Sequence, residues 1–421
     1  MPELNFFSDK VSKESKLFTF LVVFMALGNV YQLPGVSQLG VGEIMLMCSF
    51  PFFLKGKKFA LFDRYSIGFI FYFFYLTLVS LVALNYFDGS LSKLVSIARV
   101  AFYWVLIFFF GRNLFSLVYF RKNAYIFALS LSLFIIIQFF VFTFTKFYIP
   151  GLIPNAPLNQ GNVVGIETMQ HYLDMASYMG FIRPSGFLLE PAHCVQYLFI
   201  CLLFFINDKS MDEKKKLYFI ILVSIAMLTA QSSTGLILLL FSWICFMFVE
   251  KNYIKTKIFF IMLVIGGFVY MLANGGIFDF WALDRLLDVA SGTQIDTSSN
   301  FRLNNGFNLF EKFPFVFKIF GTGMGMFELI SYDFEFGNAI NYMNSFSFTL
   351  FSAGYIGLFI WLISLAYLFY NTYTLGKCVV LGFFVMSLGC SIFCQPQMVW
   401  MFLLFFADIR KENDRYSCIK L

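Results

Sequence analysis

Apolar runs recur along the whole 421-residue chain, at 17–33, 38–54, 65–84, 94–111, 124–145, 190–206, 257–274, 345–370, 376–393 and 396–409. Their lengths lie near the roughly 20 residues an α-helix needs to cross about 30 Å of hydrocarbon. Lipid offers a backbone no hydrogen bonds, so segments of this kind fold as helices that satisfy their own amides. An eleventh run, 217–249, is too long for one crossing and is interrupted by Gln231-Ser232-Ser233-Thr234-Gly235, which predicts two short helices meeting at a polar hairpin. The expected fold is an all-α polytopic membrane protein, a single integral domain over 1–421 with about 12 transmembrane helices. Composition agrees: 60% hydrophobic and 13% charged residues, against roughly 45–50% and 25% in soluble domains, leave no water-soluble alternative.

The net charge of +6 divides between the two faces before it says anything about ligands. With the N-terminus inside, the inner segments hold 22 of the 30 Lys and Arg, from Lys10 to Lys420. That asymmetry predicts both termini on the cytoplasmic side, so the excess charge reports topology and no nucleic-acid partner is expected. The eight cysteines lie mostly within apolar runs, with no CxxC among them, and read as small core residues. The first run has no small-residue cleavage site after it, so no cleaved leader is expected.

Two outer segments exceed what a connection requires, a first large loop at 146–189 and a second at 275–344. Loops of this length usually bind or catalyse something. The second is rich in Phe and Leu and predicts an amphipathic helix over 298–313, ended by Pro314.

Chemistry concentrates where the first loop returns to the membrane, in Arg183-Pro184-Ser185-Gly186-Phe187-Leu188-Leu189-Glu190-Pro191-Ala192-His193. Glu190 falls at the N-cap, Pro191 at the favoured first helical position, and His193 one turn in. A catalytic cluster and a capped helix with Arg183 snorkelling to headgroups both fit this pattern. In the second loop, Arg302 heads a segment running to Glu311, Pro314 and Gly321-Thr322-Gly323-Met324-Gly325. An arginine there suits a pyrophosphate, because its planar fork donates bidentately and stays charged. The glycines either bring amides to an anion or form a turn. Arg99 and Glu43, each near the start of a span, are either functional intramembrane charges or snorkelling ones. Two histidines in the chain, and acidic pairs without a third ligand, give no metal site and no cofactor.

In this order the features resemble the bacterial O-antigen and oligosaccharide repeat-unit polymerases of the Wzy type, which are related in fold to O-antigen ligases. The resemblance rests on Arg183 to Pro191 entering a span and on the Ser232–Gly235 hairpin. It rests also on Arg302 followed by Pro314 and Gly321 to Gly325, and on Asn344 opening a span that reaches Gly357. The ligases usually carry a His at that last position, so Asn344 favours the polymerase.

The resemblance implies a GT-C-like glycosyltransferase in the bacterial inner membrane, with both large loops periplasmic. Its partners would be undecaprenyl-pyrophosphate-linked oligosaccharides as donor and acceptor, membrane lipids, and a chain-length regulator. Arg183, Arg302 and Arg99 would stabilise the pyrophosphate leaving group, Asn344 would contact substrate, and Glu190 or, second, His193 would take the acceptor proton. Two alternatives stand beside it: a ligase of the same fold, and a flippase or transporter of lipid-linked sugars, whose charged features would lie nearer the bilayer midplane.

Overall fold

The computed structural model describes residues 11–33, 39–54, 65–86, 95–153, 156–158, 182–249, 254, 257, 306–326, 343–393 and 395–417. Helices dominate: α1 (Lys13–Gly28), α2 (Val41–Leu54), α3 (Ile67–Tyr86), α4 (Val95–Trp104), α5 (Arg112–Leu114), α6 (Leu117–Thr145), α7 (Pro191–Asn207), α8 (Glu213–Thr229) and α9 (Ser233–Val249). After them come α10 (Gly306–Glu311), α11 (Phe315–Phe320), α12 (Ser345–Asn371), α13 (Thr374–Gly389) and α14 (Pro396–Ser417). A π-helical stretch, Val105–Gly111, joins α4 to α5. No strand occurs among the described residues; extended pairing is limited to isolated bridges, Tyr31 with Leu158 and Gln32 with Gly40.

Helix starts follow ordinary capping chemistry. Ser12, Ser116, Asp212 and Asn344 each accept a hydrogen bond from the backbone N–H three residues on, at the starts of α1, α6, α8 and α12. The interrupted run at 217–249 is two helices, as its polar break predicts: α8 ends at Thr229, Gln231 takes φ 51°, and Ser232 Oγ accepts from Gly235 N–H to open α9.

Four stretches among the described residues are long and apolar enough to cross a membrane: Ile67–Tyr86, Ile97–Leu114, Leu117–Thr145 and Ser345–Asn371. The remaining apolar helices are shorter, and burial explains how they sit. α7 and the Met398–Ala407 part of α14 are buried around their whole circumference, so these two are central pillars sheathed by protein. The sheath is apolar on its outer surface as well: Phe74 is 66% exposed, Phe144 79% and Phe248 82%. Surface of that kind is stable against lipid, not water. The predicted span at 257–274, apart from Lys257, lies outside the described residues, as does most of each long loop.

Aromatic rings fill the space around the pillars. Trp361, Phe69, Trp104, Phe383 and Phe402 meet at centroid distances of 5.0–6.1 Å, edge-to-face or tilted except for the stacked Phe69–Trp104 pair, geometries that ring quadrupoles favour. Trp400 on α14 donates its indole N–H to Val22 O of α1 at 2.9 Å.

The predicted helix at 298–313 is described over Gly306–Glu311, and Pro314 opens α11 instead of merely ending what precedes it. The run at 345–370 is also not one straight rod. At Gly354 (φ 64°, ψ −169°) α12 breaks, and the Gly321–Gly325 run explains how the break is tolerated. Thr322 N–H donates to Phe351 O at 2.8 Å, Gly323 N–H to Ser352 O at 3.0 Å, and Met324 N–H to Ser80 Oγ of α3 at 2.9 Å. The glycine-rich amides thus serve carbonyls near a broken helix and a hydroxyl beneath it. Of the two readings of that run the packing turn is the one found, because its amides are committed to protein.

Candidate functional site

Helix ends gather at one end of the bundle. The close of α1, the starts of α2, α4, α7 and α14, and the junction of α13 with α12 all carry polar side chains that meet there.

Glu43, in the first turn of α2, is fully buried. Its Oε2 accepts from Gly40 N–H at 2.8 Å, and its Oε1 accepts from Arg99 Nε at 2.8 Å and from the Tyr103 hydroxyl. Asn29, just past the end of α1, offers its Oδ1 to Glu43 N–H at 3.1 Å, so one residue closes α1 and caps α2. The crossing that allows this is tight: a Cβ on Gly28 would lie 2.7 Å from Gly42 Cα. Arg99 is 9% exposed. Neither charge snorkels; a buried ion pair with further hydrogen bonds is the arrangement that makes such charges tolerable.

Arg99 and His193 line the same cavity, about 40 Å³, together with Asn29, Leu189, Tyr197 and Gln397. That volume holds a few waters or one small polar group. Two helices, α7 and α14, begin at its wall, each with a proline at its start. Their N-terminal ends turn positive potential toward the cavity beside Arg99, whose own charge is paired with Glu43. Gln397 Nε2 donates to Gln196 Oε1 at 2.9 Å, while Gln397 Oε1 is buried with no hydrogen-bond partner. A polar seam continues from there. Gln196 Nε2 donates to Cys390 Sγ at 3.2 Å, and Cys390 O accepts from Ser345 N–H and Oγ at 3.1 and 2.8 Å. The first turn of α12 is thereby tied to the cavity wall.

The stretch from Arg183 to His193 is held from several sides. Arg183 Nε donates to Gln231 O in the α8–α9 hairpin at 3.2 Å. Gly186 N–H donates to Gln138 Oε1 at 2.9 Å, and Gln138 Nε2 donates to Ile149 O at 2.8 Å, so one amide on α6 clamps both ends of the first long loop. Cys194 Sγ donates to Ser185 O. Burial pushes the Tyr148 phenol above its ordinary value, with a hydrogen bond to Ser185 pulling the other way. Glu190 is the N-cap of α7 with Pro191 next, as its spacing predicts, but its carboxylate makes no capping hydrogen bond.

Of the six residues to which the resemblance gives a role, the structure brings two to one cavity, Arg99 and His193. Arg183 sits on the hairpin and Glu190 at the helix cap; neither lines the cavity. Asn344 caps α12, its Oδ1 accepting from Ser347 N–H at 2.8 Å and Ser347 Oγ at 3.0 Å. Arg302 lies outside the described residues. Asn29, Tyr197, Gln196 and Gln397 join the site without having been expected. Each is an ordinary polar residue inside an apolar run, and only the cost of burying an amide or hydroxyl singles it out. The sequence matches no protein-family model, and no curated protein matches it.

Proposed function

We propose that this chain is a polysaccharide polymerase of the Wzy type, joining undecaprenyl-pyrophosphate-linked repeat units on the periplasmic face of a bacterial inner membrane. In this reading about twelve spans place both termini in the cytoplasm, and the cavity opens toward the periplasm. The observation that carries it is the pairing of Arg99 with His193 around one cavity beneath two helix N-termini. Transfer of a glycan from a lipid pyrophosphate needs a cation where negative charge develops and a base beside the attacking hydroxyl.

In that chemistry the acceptor sugar hydroxyl attacks the donor anomeric carbon, and the bond from that carbon to the pyrophosphate oxygen breaks. The hydroxyl proton passes to His193, and the charge left on pyrophosphate is stabilised by Arg99 and the helix ends. The cavity lining favours His193 over Glu190 as the base, since Glu190 stands outside it. Arg183 contributes by holding the entry stretch against the hairpin. Asn344 supports the polymerase over the ligase, because its amide is engaged in capping and cannot act as a base. A broken helix such as α12 is shared with transporters; here amides of the second loop donate to Phe351 O and Ser352 O beside the break, which accounts for it as packing.

The test uses full-length protein in detergent, where no second compartment exists for transport. Purified chain and lipid-linked repeat units should give a ladder of extended products, and His193→Gln should abolish it. A wild-type protein that yields no ladder from a verified donor removes the polymerase reading.

A further inference from the structure

Glu43 and Arg99 are paired, yet only Arg99 lines the cavity. The carboxylate touches nothing that enters there, and its charge opposes an anion. Its placement nonetheless determines how the cation stands. A guanidinium is planar, so fixing Nε fixes the plane in which the terminal nitrogens lie. Glu43 Oε1 fixes Nε at 2.8 Å, and Tyr103, one helical turn beyond Arg99, donates to the same oxygen. Glu43 is held in turn by Gly40 N–H at 2.8 Å and by Asn29, which accepts its backbone N–H. Every link is buried or half-buried and built on the close α1–α2 crossing.

We infer that Glu43 is the positioning residue of an anion site centred on Arg99, holding the guanidinium so that it meets a phosphate or pyrophosphate group entering beside His193. The inference rests on the reading above that Arg99 receives a pyrophosphate, and it is separable from the polymer chemistry.

Its test is a double-mutant cycle on full-length protein in detergent, with inorganic pyrophosphate as the probe and calorimetry as the readout. Wild type should bind. Glu43→Ala should bind about tenfold more weakly, the scale of a small misplacement of a binding group. Glu43→Ala combined with Arg99→Ala should bind no more weakly than Arg99→Ala alone, because a residue acting through another has no effect once that other is gone. A bystander counter-charge gives the opposite sign, since its removal tightens anion binding. Monodisperse elution and cooperative thermal unfolding check the fold. Where Glu43→Ala fails them, Glu43→Asp carries the cycle, as it keeps the charge but draws the carboxylate back from Arg99 Nε. Tighter or unchanged binding in the Glu43 variant, additive losses in the double variant, or no pyrophosphate binding by wild type overturns the inference. Lipid-linked repeat units are offered to the same preparations. A wild type that binds pyrophosphate through both residues and yet extends nothing removes the polymerase and leaves the anion site standing.

Discussion

Replacing Gly354 with alanine should be among the most damaging single-methyl changes in the protein. At φ 64°, ψ −169° the residue occupies backbone space essentially confined to glycine, and forcing another residue there costs about 1–3 kcal/mol. The added Cβ would also lie 2.3 Å from Ile319 O and 2.6 Å from Gly321 N, backbone atoms that cannot rotate away. Overpacking of that kind adds about 1–3 kcal/mol, for a total of about 2–6 kcal/mol against a whole-protein stability of about 5–15 kcal/mol. At roughly 2 °C per kcal/mol for a large chain, the apparent Tm should fall by about 4–12 °C. Gly389→Ala is the internal control. Its Cβ would make an ordinary 3.4 Å contact with Thr234 Cγ2 at an unstrained φ, so its Tm should stay near wild type. Thermal unfolding of both variants in the same detergent is the assay. Equal Tm values for Gly354→Ala and wild type would refute the broken-helix account of α12. The damage should also reach the cavity, because Ser345 and Cys390 link the first turn of α12 to Gln196 and Gln397.

Arg99→Met leaves Glu43 buried without its ion-pair partner and should cost about 3–5 kcal/mol, most of it regained in the double variant Glu43→Gln/Arg99→Met; thermal melts of the three variants decide it. Asn344→Ala should lower stability by about 1 kcal/mol through the lost cap, and Asn344→Ser should restore both stability and any product formed. Product that stays lost in a stable Asn344→Ser variant would show a direct substrate role. Glu190→Ala should retain more ladder-forming activity than His193→Gln in the detergent assay, because only His193 lines the cavity.

Runs and breaks were legible in the sequence; partners across space were not. The polar interruption at 231–235 marks the α8–α9 hairpin because water-seeking side chains cannot continue a lipid-facing helix, and Glu190-Pro191 marks the start of α7 by local capping rules alone. Arg99 and Glu43 stand out because charge within an apolar run is costly. That they pair across 56 positions follows from the packing of α2 against α4, to which no local pattern points. The break at Gly354 is hidden for a related reason. Glycine within an apolar run reads as a small packing residue, and its left-handed conformation is set by carbonyl groups that meet amides some 30 positions earlier. Asn344 stands out by motif, and the structure adds a local role that the motif does not give, the cap of α12.

The clamp formed by Gln138 bears on how freely the first long loop can change length. One amide on α6 holds Ile149 O and Gly186 N–H together, so the chain between leaves and rejoins the bundle at neighbouring points. Closing such a neck costs entropy that grows only logarithmically with the residues enclosed, about 0.6 kcal/mol for each doubling. Changes in the length of the chain enclosed between these two anchors therefore leave Glu190 and His193, which follow Gly186, in register on their scaffold. A change of loop length is thereby uncoupled from the helix start that carries His193.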